Sequence, residues 1–251
     1  MVPSHVGEAG AASRAEQDFD RRPAVPLWMG GLAAVSMIVA LYLIFFWVST
    51  EATMGIVQRI FYFHVPAATV SFWAAFVGGV ASIMYLKTRD NRYDDLSLAA
   101  NESIVIFEAM NIGMGSLWAK PVWGIWWTWD PRLTSAFLLL IIYAGYCIVR
   151  QGTPVDQRPA ICAVISILGM ADVPLVYLSN RLFRTQHPAP VIGGGPGSGL
   201  APDMGITLMA GMVAMFMLWW CVIRLRRRVA RLERAAEDLT RRAFEFADVR
   251  Q

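Results

Sequence analysis

The sequence predicts an all-α integral membrane protein: a six-transmembrane-helix bundle with an outer-face tryptophan-rich loop and a cytoplasmic C-terminal helix. Three observations predict it. Of 251 residues, 56% are hydrophobic and only 16% charged, with a mean hydropathy of +0.45, which is more apolar surface than a soluble core of this size buries. Apolar runs of about 20 residues, the length that crosses the hydrocarbon layer as a helix, recur at regular intervals. Lysine and arginine crowd into alternate connecting segments.

The chain opens with a polar segment of mixed charge, 1–26. It lacks the basic start, short apolar core and small-residue cleavage site of a signal peptide, so it reads as a retained cytoplasmic tail. The apolar runs then follow as Leu27 to Val48, Val65 to Leu86, about Ser103 to Trp118, Leu133 to Val149, Ala160 to Leu178 and about Met204 to Ile223. The third is the weakest, because Glu102, Glu108 and Asn111 fall in or beside it. Glu108, Asp172 in the fifth run and Glu102 are costly in lipid, so they are expected to face the bundle interior and there to pair or stay protonated.

Six crossings put both termini on one side. With that side cytoplasmic it holds Arg14, Arg21, Arg22, Lys87, Arg89, Arg92, Arg150, Arg158 and every arginine from Arg224 onward, and the outer loops keep only Arg59, Lys120, Arg132, Arg181 and Arg184 of the 22 basic residues. The positive-inside tendency predicts this orientation. The outer loops are then Ser49 to His64, Ala119 to Arg132 and Ser179 to Asp203. The last contains the glycine-rich run from Gly193 to Pro202, which reads as a linker or a lid and lacks the Gly-Lys-Ser/Thr ending of a phosphate-cradling loop. The organisation is therefore a tail at 1–26, a membrane domain at 27–223 and an amphipathic helix at 224–251. In that helix Leu225, Val229, Leu232, Ala236, Leu239, Ala243 and Phe246 form a heptad seam suited to docking on a partner or on the membrane surface.

Some chemistries are excluded early. A net charge of +3, from 22 basic and 19 acidic residues, gives no nucleic-acid footprint. The three cysteines, Cys147, Cys162 and Cys221, lie within apolar runs and form no C-x-x-C metal pair and no C-x-x-C-H haem-attachment motif.

The outer face is where chemistry concentrates. Trp118 to Arg132 reads W-A-K-P-V-W-G-I-W-W-T-W-D-P-R and holds five of the ten tryptophans. An interfacial aromatic belt accounts for Trp28, Trp47, Trp118, Trp219 and Trp220. It does not account for Trp123, Trp126, Trp127 and Trp129, which fall within seven residues and together suit a large planar apolar ligand. Asp130 before Pro131 is a helix start, the carboxylate capping free N–H groups of the fourth span. Two of the three histidines share this face: His64, before a proline that reads as the opening of the second span, and His187, in T-Q-H-P. Zinc wants three or four clustered ligands, which the outer loops lack. Haem needs only two imidazoles, an apolar aromatic surround and cations for its propionates, for which Arg59, Lys120, Arg132, Arg181 and Arg184 are the outer candidates, with Arg59, Arg132 and Arg184 taken for the site.

With W-G-I-W-W-T-W-D at Trp123 to Asp130, one histidine before the second span, one in the third outer loop and six spans, the chain resembles the cytochrome c maturation protein C family. The resemblance covers roughly Leu27 to Ile223. It implies a non-enzymatic haem-delivery protein of the inner membrane. The tryptophan loop would hold b-type, non-covalently bound haem at the periplasmic side, with His64 and His187 as axial ligands. It also implies partners: the haem chaperone protein E, the ABC-type subunits A and B, and the small protein D. Two other readings compete. A haem transporter would move haem through its own helices, and a quinone-linked b-type cytochrome would need histidines inside the spans, where this sequence has none.

Overall fold

The computed structural model describes residues 23–183, 185–187 and 199–248, the side chains of 242 and 246–248 excepted. The polar tail before residue 23, Arg184, nearly all of the glycine-rich run and the side chain of Phe246 therefore lie outside the described residues.

Six long helices make up the described chain: α1 (Leu27–Tyr42), continued by a π turn over Leu43–Trp47, α2 (Phe61–Thr88), α3 (Asn91–Trp123), α4 (Pro131–Gly152), α5 (Arg158–Leu182) and α6 (Pro202–Asp248). A 3₁₀ segment, Ile56–Ile60, feeds directly into α2. Five of these stretches are long and apolar enough to cross a membrane, and α3 is the exception. The reason lies in its surroundings. α3 packs against α2, α4, α5 and α6, and its Asp94, Asp95, Ser97, Asn101, Ser103, Glu108 and Asn111 are all buried against those neighbours. Its polar residues meet protein rather than lipid, so the low hydropathy of the third run reflects a central position.

Glycine sets the close approaches around this centre. A Cβ at Gly78 of α2 would collide with the Asn101 side chain of α3, and one at Gly169 of α5 would sit 2.6 Å from the Tyr143 ring of α4, the small-residue packing expected between helices in a membrane. Tyr143 and Tyr146 fill the middle of the bundle, fully buried. α1 is peripheral and packs along α6, leaving Val35, Ile38, Tyr42 and Phe46 exposed.

The two ends of the bundle differ. At one, α1 is tied to α6 where Ser49 donates to Asp203 Oδ2 from its backbone N–H (3.0 Å) and its hydroxyl (2.5 Å). There a second apolar cluster of Ile44, Val48, Phe61, Tyr62 and Leu208 packs under Trp118. At the other, arginines are held in ion pairs: Arg150 grips Asp94 with two nitrogens at 2.9 and 2.8 Å, Arg234 reaches Asp94 and Asp95, Arg226 reaches Glu102, and Arg158 pairs with Glu237 at 3.0 Å. Of the three intramembrane carboxylates expected to pair or stay protonated, Glu102 forms an ion pair, whereas Glu108 and Asp172 are buried without one among the described residues. We call these the tryptophan end and the arginine end.

Element limits differ most from the sequence expectations at the start of α2, at both ends of α3, which begins at Asn91, and in the last helix. α2 begins at Phe61, so His64 stands in its first turn and Pro66 lies inside the helix, because the 3₁₀ segment starts the winding early. α3 runs on to Trp123, so Trp118 and Trp123 are helical and the tryptophan loop proper is only the seven residues 124–130. The sixth span and the C-terminal amphipathic segment form one continuous helix. Its seam residues Leu225, Leu232 and Leu239 are exposed, while Arg226, Ala230, Arg234 and Glu237 face the chain's own helices.

Candidate functional site

The tryptophan end is built outward from the last turns of α3. That helix stops at Gly124, which takes a left-handed φ of 78° and donates its N–H to the Lys120 carbonyl at 2.9 Å, a cap conformation that glycine adopts more readily than residues with a Cβ. Lys120 folds back on the same turn, donating to the Gly124 carbonyl at 2.9 Å with its ammonium 5.9 Å from the Trp126 ring centre. Asp130 then starts α4, accepting from the backbone N–H of Arg132 and of Leu133 at 3.0 Å each, with Pro131 in the first helical turn. The loop is thus fixed at both ends by capping chemistry, and Asp130 serves the helix start.

Within the loop the four tryptophans do not behave alike. Trp126 and Trp129 are 55% and 73% exposed, so they offer apolar faces outward. Trp127 is half-buried and meets Trp129 edge-on, with ring centres 5.7 Å apart, and both rings lean on Phe137 of α4 at 6.1 Å. Trp123 turns inward to the edge of His187, 6.4 Å between ring centres.

His64 is held by α3. Its Nδ1 lies 2.9 Å from the Asn111 carbonyl oxygen. That oxygen can only accept, so Nδ1 carries the proton and, in the neutral imidazole, Nε2 keeps its lone pair. The ring meets Trp118 edge-on at 5.9 Å. The two histidines therefore rest against Trp118 and Trp123, five residues and about 7.5 Å of helix rise apart at the end of one helix. His187 itself is half-buried, and its backbone N–H donates to Thr185 Oγ1 at 3.0 Å.

The buried side-chain atoms without a partner sort by type. Four donors belong to this end: Arg59 Nε, Trp118 Nε1, Trp127 Nε1 and Arg132 Nη1. Arg59 is otherwise engaged only through Nη1, which donates to the Phe45 carbonyl at 2.9 Å. Acceptors such as Glu108 Oε2, Asn111 Oδ1 and Asp172 Oδ2 lie deeper in the bundle. A buried, unsatisfied donor costs about 1–3 kcal/mol, so each of these four would be stabilised by an acceptor. Arg184, the third arginine candidate, lies outside the described residues.

Sequence reasoning missed Asn111, Gly115 and the role of Trp118, which a lipid-interface belt explained equally well. Their signal was the i, i+4, i+7 spacing, which places all three on one face of α3. Trp219 was also assigned to the belt, but it is buried and donates Nε1–H to Ser103 Oγ at 2.9 Å. A separate cavity of about 610 Å³ opens at the arginine end, among Asp94, Arg150, Arg226 and Arg234. Its arginines are already ion-paired, and it does not include the histidines.

A family model described as heme exporter protein C matches residues 13–242. Individual relatives agree. The chain is 31% identical over 197 residues to the heme exporter protein C of Bradyrhizobium diazoefficiens, covering 76% of this chain and 73% of that one. It is 30% identical over 174 residues to the heme exporter protein C of Escherichia coli K12, covering 64% and 67%. It is 30% identical over 150 residues to that of Rhodobacter capsulatus, covering 57% and 61%.

Proposed function

Because the chain belongs to the heme exporter protein C family, we propose that it binds haem at the periplasmic face of the inner membrane and passes it to a haem chaperone. The family is one of multi-pass membrane proteins that handle haem for cytochrome c maturation, and it is not a family of enzymes. The observation that carries the finer reading is the pair of histidines set against Trp118 and Trp123 at the end of one helix, the same end at which Arg59, Trp118, Trp127 and Arg132 bury donor atoms with no partner among the described residues.

In this reading His64, through Nε2, and His187 are the axial ligands of a non-covalently bound, b-type haem. Trp123, Trp126, Trp127 and Trp129 cover its plane, with Asp130 fixing their loop. Arg59, Arg132 and Arg184 receive the propionates through charge-assisted hydrogen bonds. The exposed faces of Trp126 and Trp129 suit the docking of the chaperone, protein E. The ABC-type subunits A and B and protein D complete the system and supply the nucleotide-driven step. The membrane domain spans 27–223, with α3 as a sixth crossing shielded from lipid by its neighbours. Both termini, the polar tail 1–26 and the segment 224–251, are cytoplasmic, in keeping with the arginine bias.

The test is spectroscopic. Protein purified from membranes should carry a Soret band, and His64→Ala or His187→Ala should shift or weaken it. A double variant with the unaltered wild-type spectrum would remove the ligand assignment.

A further inference from the structure

We propose that Gly115 is a positioning residue for the haem ligand His64, holding the imidazole so that Nδ1–H is committed to the Asn111 carbonyl and Nε2 faces the iron. This rests on the functional reading above. Asn111, Gly115 and Trp118 form one face of α3, and His64 of α2 lies against all three. The carbonyl of Asn111 is the regular helical acceptor for the Gly115 N–H, so its second lone pair is the one that His64 uses at 2.9 Å. The acceptor is a backbone carbonyl within α3, fixed by the helix, so it cannot follow the imidazole if the ring moves.

Gly115 is what lets the ring come so near. A Cβ there would lie 3.0 Å from His64 Cε1 and 3.4 Å from Nδ1. A side chain at this position requires the imidazole to give by a few tenths of an ångström, which strains its hydrogen bond to α3 and the direction of Nε2. Gly113, two residues away in the same helix, would place its Cβ with nothing within 4 Å. Both are glycines inside the same helix, with the same intrinsic helix propensity, and they differ in what a Cβ would meet: open space at exposed Gly113, the His64 ring at half-buried Gly115.

That difference supplies the experiment. Gly115→Ala and Gly113→Ala are purified beside wild type, checked for helical content by circular dichroism, and titrated with hemin. Gly113→Ala should match wild type in haem affinity, electron paramagnetic resonance g-values and midpoint potential. Gly115→Ala should bind haem about tenfold more weakly or worse, the scale of outer-shell losses at metal-bound histidines, with altered g-values and potential. If Gly115→Ala matches wild type in all three while wild type binds haem, the inference is overturned. A haem-independent arm uses ¹⁵N NMR of labelled histidine in the haem-free protein. His64 should be the Nδ1–H tautomer in wild type and in Gly113→Ala, and should lose that preference in Gly115→Ala. Failure of wild type to bind hemin would overturn the functional reading instead, and the tautomer result would still decide the positioning geometry.

Discussion

Trp127 buries its indole N–H without an acceptor while its ring is held by Trp129 and Phe137. Replacing it by phenylalanine keeps most of the ring contact and removes the stranded donor. Two effects of opposite sign follow. The haem-free Trp127→Phe protein should gain about 1 kcal/mol of stability, because an unsatisfied buried group is gone. Haem retention should fall by roughly fivefold, because a hydrogen bond to the ligand is lost. Thermal unfolding and hemin titration measure the two, and a stability gain with unchanged retention would place the haem elsewhere. At this scale the sequence was informative about residue type: the tryptophans, His64, His187 and the arginines announce themselves by composition and clustering. Asn111 and Gly115 did not, because a backbone carbonyl and an absent side chain leave no chemical mark on a sequence. Asp130 was legible in its structural role, since a carboxylate before a proline is a capping signal wherever a helix follows.

Elements were legible in proportion to how much lipid they meet. α1, with Val35, Ile38 and Phe46 exposed, reads as a membrane span from hydropathy alone. α3 does not, since a window average counts Asn101, Glu108 and Asn111 as hostile to lipid although all three face other helices. Its 33 residues outrun the expected sixteen-residue span at both ends, because Asp94 and Asp95 in its first turns are buried in ion pairs and its last turns wind on to the glycine cap at Gly124. Asn101 shows what this helix does for its neighbours. It donates to Ser97 Oγ at 3.0 Å, accepts from Ser166 Oγ at 3.1 Å, and its side chain occupies the space a Cβ at Gly78 would need. Gly78→Ala should therefore displace Asn101 and break both hydrogen bonds, costing about 2 kcal/mol at roughly 1 kcal/mol each. A lowered melting temperature in detergent measures this; an unchanged one would mean that α2 and α3 can separate without penalty.

At the scale of the molecule, the two ends use charge differently. At the arginine end Arg150, Arg226 and Arg158 are held in ion pairs with carboxylates of α3 and α6, whereas Arg59 and Arg132 at the tryptophan end form no ion pair among the described residues and each bury a nitrogen without a partner there, as Arg227 also does. The topology predicts that cysteines placed at Val155, in the α4–α5 connection, and at Ile125, in the tryptophan loop, react with a membrane-impermeant thiol reagent from opposite sides. Labelling of both from one side would refute it. Both positions are partly exposed, at 39% each, and the native Cys147, Cys162 and Cys221 lie within helices. One further consequence concerns α6. It runs 47 residues without a proline beyond its first position, about 70 Å of unbroken helix. Asp203 fastens it to Ser49 near one tip, and Arg226, Arg234 and Glu237 fasten it toward the other. Such a rod has no interior hinge at which to absorb torque. A tilt of about 5° over that length sweeps a tip through roughly 6 Å, so a load applied to the arm beyond Arg224 would arrive at Asp203 as leverage on the first connection, the segment that carries Arg59 toward His64.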